Sequence, residues 1–352
     1  MYTATRSHST HLPIRPAWLA LHQEEIIEPD LPIVDPHHHL WDRPDNRYLF
    51  LDLLNDVAVG HKICATVVIE CGAMYRQHGP AASQPLGETE FFNGAAAMSA
   101  SGAYGERALC AGIVGHADLC LGERVKPVLE AHSLAGGGRF RGVRYISAWH
   151  VDPAARGSLA NPPPHVLADP MFRAGFAQLA PLGLSFDAWM YHTQLPELVA
   201  LAQAFPETTI VLNHTGGAIG IGPYAGKRDE VLADWRTRIK EVACCPNVFI
   251  KLGGMGMRMF GFDFATGERP PSSQSLAASW RPYFESCIEA FGAERCMFES
   301  NFPVDKGSCS YAVLWNAFKR VASGASGSEK QALFSGTASK AYRLSSPRIT
   351  PT

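Results

Sequence analysis

Neither sign of charge dominates this 352-residue chain: 31 Lys+Arg stand against 33 Asp+Glu, for a formal net charge of -2. That balance offers no footing for a nucleic-acid backbone or an anionic membrane surface, and leaves small organic molecules as the expected partners. No window approaches the ~20 consecutive apolar residues that a membrane-crossing helix needs. The segment from Met1 to Glu28 lacks the uninterrupted apolar stretch of a secretion signal and reads as an N-terminal arm packed on the outside of the domain. The 9 cysteines include no Cys-x-x-Cys pair, and most lie within apolar runs such as Lys62 to Cys71. Reduced, buried thiols in a cytoplasmic protein are therefore expected rather than disulfides. Gly216, Gly217, Gly220 and Gly222 form a Gly-rich stretch, but no Gly-Lys-Ser/Thr follows, which argues against nucleotide binding.

What the chain does have is apolar residues, 46% of the total against 18% charged, enough for a large core. Short apolar, β-branched-rich runs recur at Leu31 to Asp35, Ala65 to Glu70, Leu109 to Val114, Gly142 to Ile146, Leu184 to Trp189, Thr209 to Asn213, Val248 to Leu252 and Arg295 to Glu299. Continuous rather than alternating apolar character suits strands buried on both faces. The segments between them carry helical periodicity, as in Leu195 to Phe205, Val231 to Val242 and Trp280 to Phe291. Eight repeats of strand then helix predict an α/β protein, a closed parallel (β/α)8 barrel over residues 29–346, with a doubly wound open sheet as the alternative. The insertion Ser147 to Ala168 after the fourth strand and the stretch Gly254 to Ser273 after the seventh would then lie at the mouth where barrel enzymes do their chemistry. Glu329 to Leu344 reads as a closing helix outside the barrel.

Asp35-Pro36-His37-His38-His39-Leu40-Trp41 closes the first predicted strand. Extended geometry sends His37 and His39 to one side and His38 to the other. Two imidazoles on one face can ligate a divalent metal through neutral ring nitrogens, or can polarise a carbonyl and orient a water. A solvated histidine run or a set of capping residues is the rival reading, weakened by the position at a barrel strand end.

From these residues the chain resembles the amidohydrolase-related family, which includes sugar lactonases and 2-pyrone-4,6-dicarboxylate lactonase. The carriers are Val34 to Trp41, Arg141-Gly142-Val143-Arg144, Gln194 to Leu198, Leu212-Asn213-His214-Thr215-Gly216 and Met297-Phe298-Glu299-Ser300-Asn301-Phe302-Pro303. The likeness spans roughly Leu31 to Leu344 and implies an amidohydrolase-like TIM barrel. It implies that His214 polarises the substrate carbonyl or contacts a metal, and that Arg144 clamps a substrate carboxylate or lactone oxygen. It also places Asp187, His192 and Arg258 among the substrate-binding candidates. The family's usual Ser-Asp-(aromatic)-Pro is broken here, because Asn301 stands at the aspartate position. An amide cannot act as general base, though its NH2 can orient a water or stabilise an oxyanion. The replacement carboxylate is sought among Glu70, Asp187, Glu299 and Asp305, with Glu70 preferred because it ends its strand. For each of these a salt bridge or barrel-mouth cap is the rival reading.

The expected activity is hydrolysis of a lactone or related cyclic ester of a small carboxylated or polyhydroxylated substrate. Catalysis would rest on His37, His39, His214, Asn301 and Glu70. The histidines His37, His39 and His214 could hold a divalent metal, zinc or manganese, or work without one as hydrogen-bonding groups. A metal-dependent decarboxylase of the same superfamily and a non-catalytic small-molecule-binding barrel are the competing readings; Asn301 counts against the first and the convergence of three histidines against the second. An exposed arm and apolar outer helices are compatible with a homodimer.

Overall fold

The computed structural model describes residues 11–44, 46–157 and 160–344. Eight parallel strands succeed one another in chain order: β1 (Ile33–His38), β2 (Ile63–Ile69), β3 (Ala108–Gly115), β4 (Phe140–Ile146), β5 (Ser185–Trp189), β6 (Ile210–Leu212), β7 (Val248–Leu252) and β8 (Cys296–Phe298). Each is among the predicted runs, to within a few residues at either end. The ring closes just past the last strand. There His38 bridges Phe302 in parallel register, Asn301 N–H donates to His37 O (2.8 Å), and His39 N–H donates to Phe302 O (2.7 Å). A closed ring leaves no unpaired strand edge, so β5 to β8 can be buried along their whole length. The fold is a (β/α)8 barrel.

The helices form the outer layer because their apolar residues recur every three or four positions. In Ser273–Phe291 the buried set runs Leu276, Ala277, Trp280, Tyr283, Phe284, Cys287 and Phe291, and the Ser272 hydroxyl caps the start by accepting from Ser275 N. The two long loops after β4 and β7 do lie at the C-terminal mouth and pack together: Gly157 is so close to Met259 that a Cβ there would come within 2.5 Å of its side chain. The arm is tied to the second of them through Arg15 Nη2 to Ala265 O (2.6 Å) and Trp18 Nε1 to Gly267 O (2.9 Å). Its first described residue, His11, stacks on Trp41 beside the mouth, with ring centroids 5.6 Å apart.

The C-terminal segment differs from expectation. It is broken into Gly327–Gln331, a π-helical turn at Ala332–Gly336 and Thr337–Ala341, and it does not stay outside. Ala338, Ala341 and Tyr342 join Val34, Ala65, Val67, Val114, Val211, Phe249 and Met297 in one cluster that fills the barrel from the end opposite the histidines. Tyr342 reaches far enough in for its hydroxyl to donate to Asp187 on β5, at 2.8 and 3.0 Å to the two carboxylate oxygens. Tyr342→Phe deletes a donor to a buried carboxylate and is expected to cost about 1–3 kcal/mol. Chemical denaturation measures it, and an unchanged midpoint would show that the segment does not plug the barrel.

Candidate active site

β1 delivers three consecutive histidines and, as its alternation requires, divides them. His38 turns away from the mouth to Thr66 Oγ1 (2.8 Å), whereas His37 and His39 face each other with their Nε2 atoms 3.3 Å apart. His39 Nδ1 lies 2.9 Å from the Ile69 carbonyl, which can only accept, so Nδ1 carries the proton and Nε2 keeps its lone pair. His37 faces donor-only groups at both ring nitrogens, the Lys251 ammonium 3.2 Å from Nδ1 and the Arg144 guanidinium beside Nε2. A line of polar contacts runs from Lys251 through His37 and His39 to the backbone of β2. Arg144 Nη1 stands 3.4 Å from His37 Nε2. Burial, then the Lys251 charge, holds the His37 pKa well below its ordinary value; burial, then Arg144, does the same for His39.

His214 stands just past β6 with its ring 4.6 Å from that of His37, centroid to centroid. Glu299, immediately after β8, ties the two together. Its Oε1 accepts from His214 Nδ1 (2.7 Å) and from the His214 backbone N–H (3.1 Å). Its Oε2 lies 2.7 Å from His37 Nδ1 but outside that atom's hydrogen-bonding direction, and so has no hydrogen-bond partner. Two glycines after β7 make the room: a Cβ on Gly253 would sit 2.4 Å from Glu299 Cγ, and one on Gly254 would sit 2.5 Å from His214 Nδ1. The His214 pKa is lowered by burial, with Glu299 pulling the other way. A fully buried carboxylate is therefore flanked by two imidazoles in their neutral form.

The other predicted residues have different surroundings. Glu70 and Arg144 are spent on each other: Arg144 Nε donates to Glu70 Oε1 (2.8 Å) and Nη2 to the Glu70 carbonyl. The Asp187 carboxylate is fully buried and accepts from Lys251 Nζ (2.7 Å), Asn213 Nδ2 (2.9 Å) and Tyr342, which makes it an anchor within the barrel. Asn301 sits beside the cluster, but its Nδ2 donates to Asp305 Oδ1 (2.9 Å), and Asp305, pushed up to about 7 by burial, also accepts from Gly256 N–H (2.9 Å). His192 is turned outward, its Nδ1 accepting from Ile219 N–H (3.3 Å), and Arg258 is exposed on the loop after β7. Sequence reasoning passed over Lys251. The signal for it was a lysine inside the otherwise apolar run Val248–Leu252, where every residue is buried.

The charges decide what this arrangement can hold. Lys251 is matched by Asp187 and Arg144 by Glu70, which leaves Glu299 as the carboxylate facing only neutral rings. A buried anion in that position calls for a cation. Among the described residues His37, His214 and Glu299 each offer a ligand atom within 4.8 Å of the others. Neutral imidazole nitrogens and a carboxylate form a donor set that suits zinc or manganese.

A family described as Amidohydrolase matches this chain over residues 34–344, and the chain belongs to that family. Among curated proteins it is 36% identical over 330 residues to the uncharacterized protein y4mH of Sinorhizobium fredii, covering 90% of this chain and 99% of that one. It is 26% identical over 329 residues to an L-fucono-1,5-lactonase of Burkholderia multivorans, covering 89% and 97%. Among solved structures, an amidohydrolase from Burkholderia multivorans with bound zinc superimposes with a TM-score of 0.68 at 24% identity, covering 89% of this chain and 99% of that one. The tight seat of Glu299 against Gly253 gives a direct check. Gly253→Ala should destabilise the protein by about 1–3 kcal/mol through overpacking; a melting temperature equal to wild type would mean that Glu299 does not pack on the end of β7.

Proposed function

We propose that this chain is a metal-dependent hydrolase that opens a lactone or a related cyclic ester of a small carboxylated or polyhydroxylated substrate. The observation that carries the reading is the Glu299 carboxylate, buried between neutral His37 and His214 with one oxygen lacking a hydrogen bond. His37, His214 and Glu299 would hold the metal, which when bound supplies Lewis-acid polarisation of the carbonyl and a more acidic water. The lactonase names of the 26%-identical relative and of an L-rhamnono-gamma-lactonase from Scheffersomyces stipitis, 25% identical over 168 residues, support the choice of ester.

In this reading Glu299 takes the duty that Asn301 cannot perform. Glu299 directly follows β8 and reaches His37 and His214, whereas Asn301, two residues on at φ 53, turns its amide to Asp305. Glu299 Oε1 is fixed by two donors from His214, and Oε2 is the atom that receives the proton of the attacking water. Arg144, pinned in orientation by Glu70, keeps a guanidinium beside His37, where it can meet a substrate carboxylate or the ring oxygen. The contact of Nδ1 with Ile69 O fixes the tautomer of His39, and the Lys251 ammonium orients the His37 ring. Asn301, bound to Asp305, positions the β8 turn rather than taking a proton.

The test is metal analysis of freshly purified protein together with hydrolysis of L-fucono-1,5-lactone and related aldonolactones before and after chelation. About one zinc or manganese per chain is expected, with activity lost on chelation and restored by the metal. Glu299→Gln should lower kcat/KM by on the order of 10²–10⁴, whereas Glu70→Gln should act mainly on KM through Arg144. Chelator-insensitive turnover would remove the metal from the proposal, and release of carbon dioxide without ring opening would replace the reaction.

A further inference from the structure

We infer that a cleft at the rim of the barrel mouth is a binding site for a neutral polyhydroxylated molecule such as a sugar. It lies between the loop after β4 and the helix Arg228–Ala243, and encloses about 520 Å3, a volume within the usual range for small-molecule sites. None of the residues that line it belongs to the cluster of His37, His214 and Glu299, so the inference stands apart from the proposed reaction.

His192 carries the argument. It lines the cleft, yet only 1% of it is exposed. Its Nδ1 accepts from Ile219 N–H (3.3 Å), which puts the ring proton on Nε2. The Asp234 carboxylate on the cleft wall is 3.9 Å from Nε2, too far for a hydrogen bond, and is turned to Arg238 Nε at 2.8 Å. This N–H opens on the cleft, where solvent or a ligand acceptor can meet it. Burial holds the His192 pKa down at about 4, so the ring is neutral at ordinary pH.

Tyr224 adds a second donor. The closer of two contacts to His150 Nδ1 is the Asp152 backbone N–H, at 3.0 Å against 3.3 Å for the Asp152 carbonyl, so Nδ1 accepts and Nε2 carries the proton. His150 Nε2 then donates to the Tyr224 hydroxyl oxygen (3.1 Å), and the hydroxyl hydrogen is free to turn into the cleft. The Tyr224 ring is held edge-on by both imidazoles, with centroids 5.3 Å from His192 and 5.5 Å from His150, so the donor is fixed in place.

Charge and hydrogen-bond inventory select the ligand. Asp152, Glu230 and Asp234 line the cleft against the single cation Lys227, which disfavours an anion. An ammonium group or bare cation has no lone pair to accept from His192 and Tyr224. A neutral ligand whose hydroxyls both donate to carboxylates and accept from N–H and O–H meets every requirement. Val151 and the Tyr224 ring offer apolar surface to the C–H face of a sugar ring.

Saturation-transfer NMR on the full chain with D-glucose, D-galactose, L-rhamnose and D-ribose, each tested alone, decides the matter. Transfer to at least one sugar is expected, reduced threefold or more in Tyr224→Phe and in His192→Phe, and unchanged in Glu299→Gln. Tyr224→Phe removes only a half-exposed hydroxyl, so it stays informative if His192→Phe fails to fold. No transfer from any sugar, transfer indifferent to Tyr224→Phe, or transfer abolished by Glu299→Gln would each overturn the inference. So would binding confined to tetramethylammonium or to inorganic phosphate.

Discussion

Lys251 and Asp187 meet at 2.7 Å in the middle of the barrel, neither of them exposed, and the two ends of the molecule are referenced to that contact. From below, Tyr342 donates to Asp187; from the side, Asn213 does the same; above, Lys251 reaches the Nδ1 of His37. Placing two charges inside a barrel is costly unless each is paired and the remaining lone pairs are satisfied. Asp187 achieves this with donors from β6, β7 and the C-terminal segment, so the plug at one end and the imidazole at the other are parts of one network. Replacing either charge singly would leave its partner buried and unmatched, a larger penalty than the pair's own net contribution.

Against that background Glu299 differs from Asp187 and Glu70, because the same logic leaves it incomplete. Two of the interior carboxylates have a dedicated cation; Glu299 has two imidazoles whose burial favours the neutral form. Such a group is expensive to maintain by folding alone, and its persistence between His37 and His214 has a physical rationale if a divalent cation or a transferred proton completes it. The glycines at 253 and 254 belong to the same design, since any side chain there would strike Glu299 or His214.

Much of this was legible beforehand, for identifiable reasons. Each strand is a continuous apolar run because both its faces are buried, and parallel strands with helices between them leave a barrel or a wound sheet as the outcomes. His37 and His39 could be paired from the period of a strand alone. The choice between Glu70 and Glu299 could not be made this way: both end strands, and what separates them is that Arg144 occupies Glu70 while the glycine gap admits Glu299. Lys251 was hidden because a lysine in an apolar strand looks like an exception rather than half of a buried pair. Tyr342 was hidden because periodicity shows that a helix has an apolar face but not whether that face lies against the wall of a barrel or its floor. His192 comes three residues after its strand and His214 two after its own, yet the turn His192–Gln194 carries the His192 ring away from the mouth.

That last contrast bears on how the mouth is divided. Trp189 stands between the two regions, its ring edge-on to His214 at 5.1 Å and to Tyr191 at 5.7 Å, and Tyr191 in turn accepts from Gly157 N–H (2.7 Å) in the long loop after β4. The loop that walls the outer cleft through His150 and Asp152 is therefore fastened, within a few residues, to the aromatic group packed on a candidate metal-binding histidine. Trp189 and Tyr191 thus form a packed bridge between the wall of the outer cleft and His214. Coupling between the two requires that this loop have more than one packed arrangement, since a ligand shifts only an equilibrium whose states it binds unequally.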